Sequence, residues 1–367
     1  MLKKEFLNTM LIKKILKFLI FSAVAVSLFS GCTGSQTNLK TSSVSVAETT
    51  DNDKFLSEIF AMDTVMDITA YGKDSEKAVL ETEKEIYRLE KLFSTTDENS
   101  EIYKLNKDKS AVLSDDTFNL IKRSIDFYHK TGEILDISIY PVVREWGFTT
   151  GEYKVPENVV LEELKKHIDS DKIAVNESTK TVTLGDKDML IDLGAVAKGY
   201  TSDKICTLMK NMGIKSAVVS LGGNVQTIGL KPDGSKWKIA VQNPFSDGGY
   251  AASLEISDCA VITSGAYERY FEQNGKTYHH IMDPKTAAPA DTDLASATII
   301  SKDAALADAY STTLFIMGKD KAIDFWHKNK SDFDIILIGN DSNIYVSKNI
   351  ANDFNLLDKN FTLNIIE

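Results

Sequence analysis

Apolar residues recur near the 3.6-residue period at several places along this chain, and each such stretch predicts a helix buried by one face. Over residues 74–93 the positions Val79, Ile86, Leu89 and Phe93 align, with Asp74 or Ser75 available to cap the start. A second amphipathic helix is predicted over Asp115–Lys130, with Phe118, Ile121, Ile125 and Tyr128 inward. Further helices are expected at residues 198–212, ended by Gly213, at Ala304–Met317, ended by Gly318, and at Lys319–Asn329. Short runs rich in β-branched and apolar residues predict strands at 182–184, 217–221, 237–241, 261–263, 297–300 and 335–338. Residues 60–71, which end at Gly72, read as the first strand. Residues 132–141 read as a loop leading to Trp146-Gly147-Phe148. Strands and helices interleave without the regular alternation of a doubly wound sheet or barrel, so the fold class is α+β (mixed α/β).

The start of the chain follows a different pattern. Lys3, Lys4, Lys13, Lys14 and Lys17 form a basic leader. An apolar run of roughly 14 residues follows, short for a bilayer span, and closes on Leu28-Phe29-Ser30-Gly31-Cys32. A charged start, an apolar middle and a small-residue cut site make a secretory signal. A cysteine directly after Ser-Gly resembles a bacterial lipobox, with Phe29 where Leu is more usual. Residues 1–31 are therefore expected to be a lipoprotein signal peptide, and Cys32 to carry lipid at the extracytoplasmic face of a bacterial cell membrane. Residues 33–53 hold almost no bulky apolar side chains and read as a flexible tether. No composition break divides residues 54–367, which are expected to form one domain.

Charge narrows the partners. The chain carries a formal −11, and removing the signal, with its five Lys and one Glu, takes this to −15. So acidic a surface argues against nucleic acid and anionic lipid headgroups. An anionic substrate would then need a metal or a local basic pocket. Cys206 and Cys259, the thiols of the folded part, lack zinc-site spacing and read as two buried free thiols or a pair.

Four places have residue types suited to chemistry. Asp308 and Thr312, four apart on a predicted helix, project from one face and offer hard oxygen ligands suited to Mg²⁺; the same spacing is common on ordinary solvated helices. Asp192-Leu193-Gly194 leads into the helix near Lys198-Gly199-Tyr200, where free N–H groups can meet an anion. Leu221-Gly222-Gly223-Asn224 is either a tight turn or a place where a ligand approaches the backbone. The pair His279-His280 suggests proton transfer or metal binding, or two structural imidazoles.

The order of these blocks is more specific than any one of them. Met62-Asp63-Thr64, Phe93-Ser94 with Ser100-Glu101-Ile102, Asp136 with Pro141 and Trp146-Gly147-Phe148, Asp192-Leu193-Gly194 with Lys198-Gly199-Tyr200, Leu221-Gly222-Gly223, Thr263-Ser264-Gly265-Ala266-Tyr267-Glu268-Arg269, His280-Ile281-Met282-Asp283-Pro284 and Ala307-Asp308 follow one another. This succession resembles the ApbE family, lipoprotein FAD:protein FMN transferases, over essentially residues 55–365.

The resemblance implies a reaction in which FAD is the substrate, its pyrophosphate is split, FMN passes to a Thr or Ser hydroxyl of an acceptor protein, and AMP leaves. By similarity Asp308, Thr312 and the Ala195 carbonyl would hold Mg²⁺. FAD would lie against Met62, Thr96, the Ile134-Leu135-Asp136 loop, Asp192, Lys198 and Met282. His280 is the candidate base, because a neutral imidazole suits that task. Three departures accompany the likeness. Asp63 replaces the usual Gly of the first motif, Ser311 stands where some relatives have a further acid, and Thr96 sits where relatives often place a Tyr against the flavin. The last opens an alternative, FAD pyrophosphatase activity with water in place of the acceptor hydroxyl. A non-enzymatic flavin-binding lipoprotein is the third reading.

Overall fold

The computed structural model describes residues 53–367, and the signal peptide, Cys32 and the tether before Asp53 lie outside them. The centre is a nine-stranded sheet whose strands lie side by side in the order in which the chain makes them. They are Lys54–Ala61, Thr64–Tyr71, Ser216–Leu221, Asn224–Ile228, Ala260–Gly265, Leu294–Ser301, Asp334–Gly339, Asn343–Ser347 and Thr362–Ile366. Every neighbouring pair is antiparallel except the last, Asn343–Ser347 with Thr362–Ile366. Everything else is inserted between these strands, which answers the expectation of interleaved elements in one mixed α/β domain.

Both faces of the sheet are covered, and strand parity decides what covers them. Ile262, Ala297, Ile299, Ile335 and Leu337 point into the core beneath the helices. Their sequence neighbours Val261, Ile300, Ile336 and Ile338 point the other way, onto a second sheet built from Trp237–Gln242, Tyr250–Ile256 and Phe354–Leu356. Central strands buried on two sides read as unbroken apolar runs, which is why residues 297–300 and 335–338 stand out in the sequence. On the helical face lie Ser75–Phe93, Ala197–Asn211 and Ala304–Met317. The last is buried along most of its length, from Ala304 to Ser311 and again at Thr313–Phe315.

The first predicted strand is corrected. Residues 60–71 are not one strand but the inner part of a hairpin, Lys54–Ala61 paired with Thr64–Tyr71, in which Ala61 faces Thr64. The turn residues Met62 and Asp63 take φ of 48° and 61°. A two-residue turn with both φ positive matches the twist of the flanking strands, and Asp tolerates that backbone better than most side chains. The helices Glu101–Asp108 and Asn158–Leu164 were not foreseen, because each is only about two turns long. The first is announced by a local device, Ser100 Oγ accepting from Ile102 N–H (3.2 Å). The 132–141 loop passes at its end into a short helix, Tyr140–Glu145.

Candidate active-site cleft

Strand register brings several chain turns to one end of the large sheet. Met66 lies opposite Leu221, Leu221 opposite Asn224, Val225 opposite Val261, and Gly265 opposite Ser296. The turns at 62–63 and 222–223 and the exit of the chain at Gly265 therefore share an edge. Gly222 (φ 62°) and Gly223 (φ 93°) close a hairpin, and a Cβ on Gly222 would lie 2.3 Å from Thr64 Oγ1. The close approach this glycine permits is thus between two turns of the protein.

Asp308 is the centre of what gathers there. Its carboxylate, 5% exposed, accepts from Gly199 N–H at Oδ2 (2.8 Å) and from Asn224 Nδ2 at Oδ1 (2.8 Å). Three segments thereby converge on one side chain. Gly199 makes this possible, since a Cβ there would strike the Ala304 carbonyl at 2.2 Å and Asp308 Cβ at 2.7 Å. Burial pushes the Asp308 carboxyl upward, while Lys198 and the N–H donors pull it back. Beside it, Ser264 Oγ lies 2.8 Å from Ser311 Oγ and 3.2 Å from Thr312 Oγ1. Ser311, the departure from an acidic residue, belongs to a neutral hydroxyl cluster, and its own hydroxyl donates to the Asp308 carbonyl (2.9 Å).

Lys198 lies near enough to act on Asp308, Glu268 and His280. Glu268 keeps an exposed edge, yet the protein packed around its carboxyl pushes it up to about 7 by desolvation, with Asp308 adding to the rise and Lys198 and Arg269 opposing it. Burial pushes His280 down to about 3, and Arg269 adds to the fall. Its Nδ1 lies 3.2 Å from the Arg269 carbonyl. A carbonyl only accepts, so Nδ1 carries the proton and Nε2 is the ring's basic nitrogen. His279 is structural instead: its Nε2 meets the Ala290 carbonyl (3.1 Å) and its ring packs edge-on against Phe315. Arg269 ties the site together, donating to the Phe148 carbonyl (2.8 Å) and pairing with Asp63 (3.3 Å). Asp63 therefore fits the turn in place of Gly and adds an ion pair.

The other expected contacts are distributed unevenly. Asp192, raised by burial and lowered by the Gly194 N–H that it accepts (2.5 Å) and by nearby Arg269, belongs to the same neighbourhood. Ala195, half-buried, lies in the turn that leads to Lys198. Met62 is half-buried, with its N–H donating to Glu90 (2.6 Å). Met282 is buried with Trp146 and Phe148. Leu135 belongs to the core. The Asp136 Oδ1 accepts from Ser138 N–H (2.8 Å), Ser138 Oγ (2.6 Å) and Ser170 Oγ (2.7 Å). The other oxygen, Oδ2, meets only Ser170 N–H at 3.4 Å, and Ile134 is half-buried. Thr96 is exposed and lines a groove with Tyr103, Lys107 and Arg144. Cys206 and Cys259 are both free thiols.

Asn224, Ser264, Glu268 and Arg269 were not singled out as site residues by sequence, although they stand inside or beside motifs that were. One further cluster with metal-ligating atoms, His167, Asp186 and Asp188, involves none of these residues. Its members are already paired, His167 Nδ1 with Asp186 (2.9 Å) and Asp188 with Lys187 (2.8 Å).

A mixed sheet that sets a buried carboxylate, hydroxyls and basic side chains at one end defines a protein with a site for an oxygen-rich anionic ligand. The ApbE family model matches residues 62–337, and the chain belongs to the ApbE family. It is 30% identical over 302 residues to the FAD:protein FMN transferase of Treponema pallidum, covering 75% of this chain and 83% of that protein. It is 34% identical over 227 residues to the FAD:protein FMN transferase of Klebsiella pneumoniae, covering 62% and 70%. Among solved structures, the ApbE protein of Thermotoga maritima superposes with a TM-score of 0.76 at 30% identity, covering 82% of this chain and 99% of that one. The flavin transferase ApbE of Vibrio cholerae gives 0.71 at 25% identity, covering 78% and 94%.

Proposed function

We propose that this protein is an FAD:protein FMN transferase, held at the extracytoplasmic face of the cell membrane by lipid on Cys32. It splits FAD, joins FMN through a phosphoester to a Ser or Thr of an acceptor protein, and releases AMP. The observation that carries the reading is the Asp308 site, where a chain of net charge −11 places Lys198 and Arg269 beside a buried carboxylate and a hydroxyl cluster. Asp308, Thr312 and the Ala195 carbonyl offer hard oxygen donors, and a buried carboxylate raised by desolvation gains from a cation; this donor set fits Mg²⁺. When bound, Mg²⁺ supplies charge neutralisation for the pyrophosphate and for AMP as it departs.

The protein's own groups do the rest. Lys198 adds a fixed positive charge beside the phosphates. His280 Nε2, neutral through the physiological range, takes the proton of the acceptor hydroxyl as its oxygen bonds to phosphorus and the pyrophosphate bridge breaks toward AMP. Arg269 holds His280 in the required tautomer through its carbonyl. Glu268 is a second proton acceptor in the same site.

The test incubates the domain lacking residues 1–53 with FAD, Mg²⁺ and an acceptor fragment bearing a Ser/Thr flavinylation motif. Covalent FMN on the acceptor by mass spectrometry is expected. Bound FAD with no covalent product overturns the transferase reading, and free FMN plus AMP without acceptor assigns the chain to hydrolysis. For the anchor, intact-mass analysis of the membrane fraction checks for lipid on Cys32, and Cys32→Ala is expected to release the protein.

A further inference from the structure

A groove runs away from Thr96, between the helices Glu101–Asp108 and Tyr140–Glu145. Its inner basin, of about 380 Å³, is lined by Thr96, Tyr103, Lys107, Tyr140, Arg144 and Thr149, among others. It continues into a second basin of about 620 Å³ that shares Arg144, Thr150 and Leu190, and adds Tyr153, Lys154 and the carboxylates Glu145, Glu152 and Asp188, so the basic character is confined to the inner basin. Three features of the inner basin depart from the rest of the surface.

The first is charge. Lys107 and Arg144 are the only charged residues on its wall, in a chain of net −11. Among the described residues neither has a carboxylate within ion-pair distance. Lys154 in the outer basin, by contrast, is neutralised by Glu145 at 2.6 Å. The second is an unmet hydrogen bond. The Thr149 hydroxyl is buried with no partner in the protein, in a wall that also carries Thr95, Thr96 and Thr150. A buried hydroxyl left without a partner is costly, and a ligand that bonds it recovers that cost. The third is shape. Two joined open basins make a trough, with tyrosine rings along it, and a trough suits an extended chain better than a compact ligand.

We infer that this groove binds the acceptor protein, its inner basin taking the acidic residues of a segment next to the hydroxyl that receives FMN. The inference rests on the transferase reading and names the partner of that same site. Charge decides the occupant: the overall acidic surface repels an acidic polypeptide, and Lys107 and Arg144 mark a place where such a segment is accepted. Of the residues expected to meet FAD, Thr96 alone lines the inner basin, while Met62, Asp192, Lys198 and Met282 line neither basin. The resemblance sets Thr96 against the flavin, so a segment held in the inner basin beside Thr96 presents a neighbouring Ser or Thr to the flavin phosphate.

The test uses a fluorescently labelled synthetic peptide with one Thr flanked on both sides by Asp and Glu, and two twins in which those acids become Asn and Gln or become Lys. Binding is read by anisotropy on the full domain without FAD, for wild type and for the double variant Arg144→Glu/Lys107→Glu. Both positions are exposed, so the fold is retained. FAD affinity is measured in parallel by flavin fluorescence. Wild type is expected to bind the acidic peptide at least tenfold more tightly than its neutral twin. The double variant loses that preference and gains affinity for the Lys twin, while its FAD affinity stays within twofold. Equal binding of all three peptides by wild type overturns the inference. So does a parallel loss of FAD affinity in the double variant, which would make the groove part of the flavin site. Because peptide binding is read without turnover, a failure of FMN transfer is scored separately and falls on the transferase reading alone.

Discussion

Two buried carboxylates, Asp136 and Asp308, look alike by exposure, at 7% and 5%. Both are pushed upward by burial and pulled back by hydrogen bonds. Their partners differ. Asp136 is satisfied by Ser138, two residues on, and by Ser170, so its oxygens close a loop onto itself. Asp308 is held by a backbone amide and a side-chain amide from two other segments, with Lys198, Glu268 and three hydroxyls around it. A carboxylate surrounded by local serines braces a fold. One at the junction of several elements, with basic and titrating groups nearby, has the surroundings of a reacting centre.

The largest effect that sharpens this contrast is expected from Asp308→Ala, which should lower FMN transfer at least about 10²-fold. Chelation of divalent metal should do the same to wild type and lower its melting temperature, yet leave the variant's melting temperature where it was. A variant that still responds to chelation would place the metal elsewhere. Next come the two proton acceptors. With Glu268 pushed up to about 7, its carboxyl stays protonated below that pH, so a rate needing the carboxylate rises as pH passes through 7. Glu268→Gln should flatten that limb. His280, pushed down to about 3, is neutral on both sides of it, so His280→Ala should reduce kcat roughly 10²-fold without moving the limb. A limb that disappears with His280 instead would exchange the two roles.

Asp136→Ala should act on stability, costing about 2–4 kcal/mol because the Ser138 and Ser170 groups lose their acceptor. Denaturant unfolding measures this, and kcat per folded molecule should stay near wild type. A lost rate at unchanged stability would show that Asp136 serves the reaction after all. The smallest effect concerns Cys206. Burial raises its thiol to about 12 from an ordinary 9, so the thiolate is scarce in the folded state at pH 8. Alkylation of Cys206 should be undetectable at that pH until denaturant is added, and Cys259, raised to about 11, should react only somewhat sooner.

Long elements with strong periodicity were legible from sequence. Residues 74–93 predict the helix Ser75–Phe93, and Asp115–Lys130 and Ala304–Met317 match their spans. What escaped were elements shorter than their own period can announce, such as Glu101–Asp108, and the hairpin turn at Met62-Asp63 hidden inside an apolar run. The site shows the same division. Asp308, Thr312, Asp192 and Lys198 carry residue types that suggest chemistry on sight. Asn224 and Ser264 carry none, and they matter only because strand register sets them against Asp308 and Thr312. Arg269 was visible within a motif, but its hold on Asp63, Phe148 and His280 links positions far apart in the chain.

The sequence by itself determined the mixed α/β class, the positions of the long helices and central strands, and the ordered motifs that mark the family, because hydrophobic period and local turn chemistry are properties of neighbouring residues. Only the tertiary structure decided which of two buried aspartates joins several segments, which of two adjacent histidines is committed to packing, and where an acidic chain keeps a basin whose only charges are Lys107 and Arg144. Those outcomes depend on desolvation and on partners brought together from distant segments, and neither exists until the sheet has assembled them.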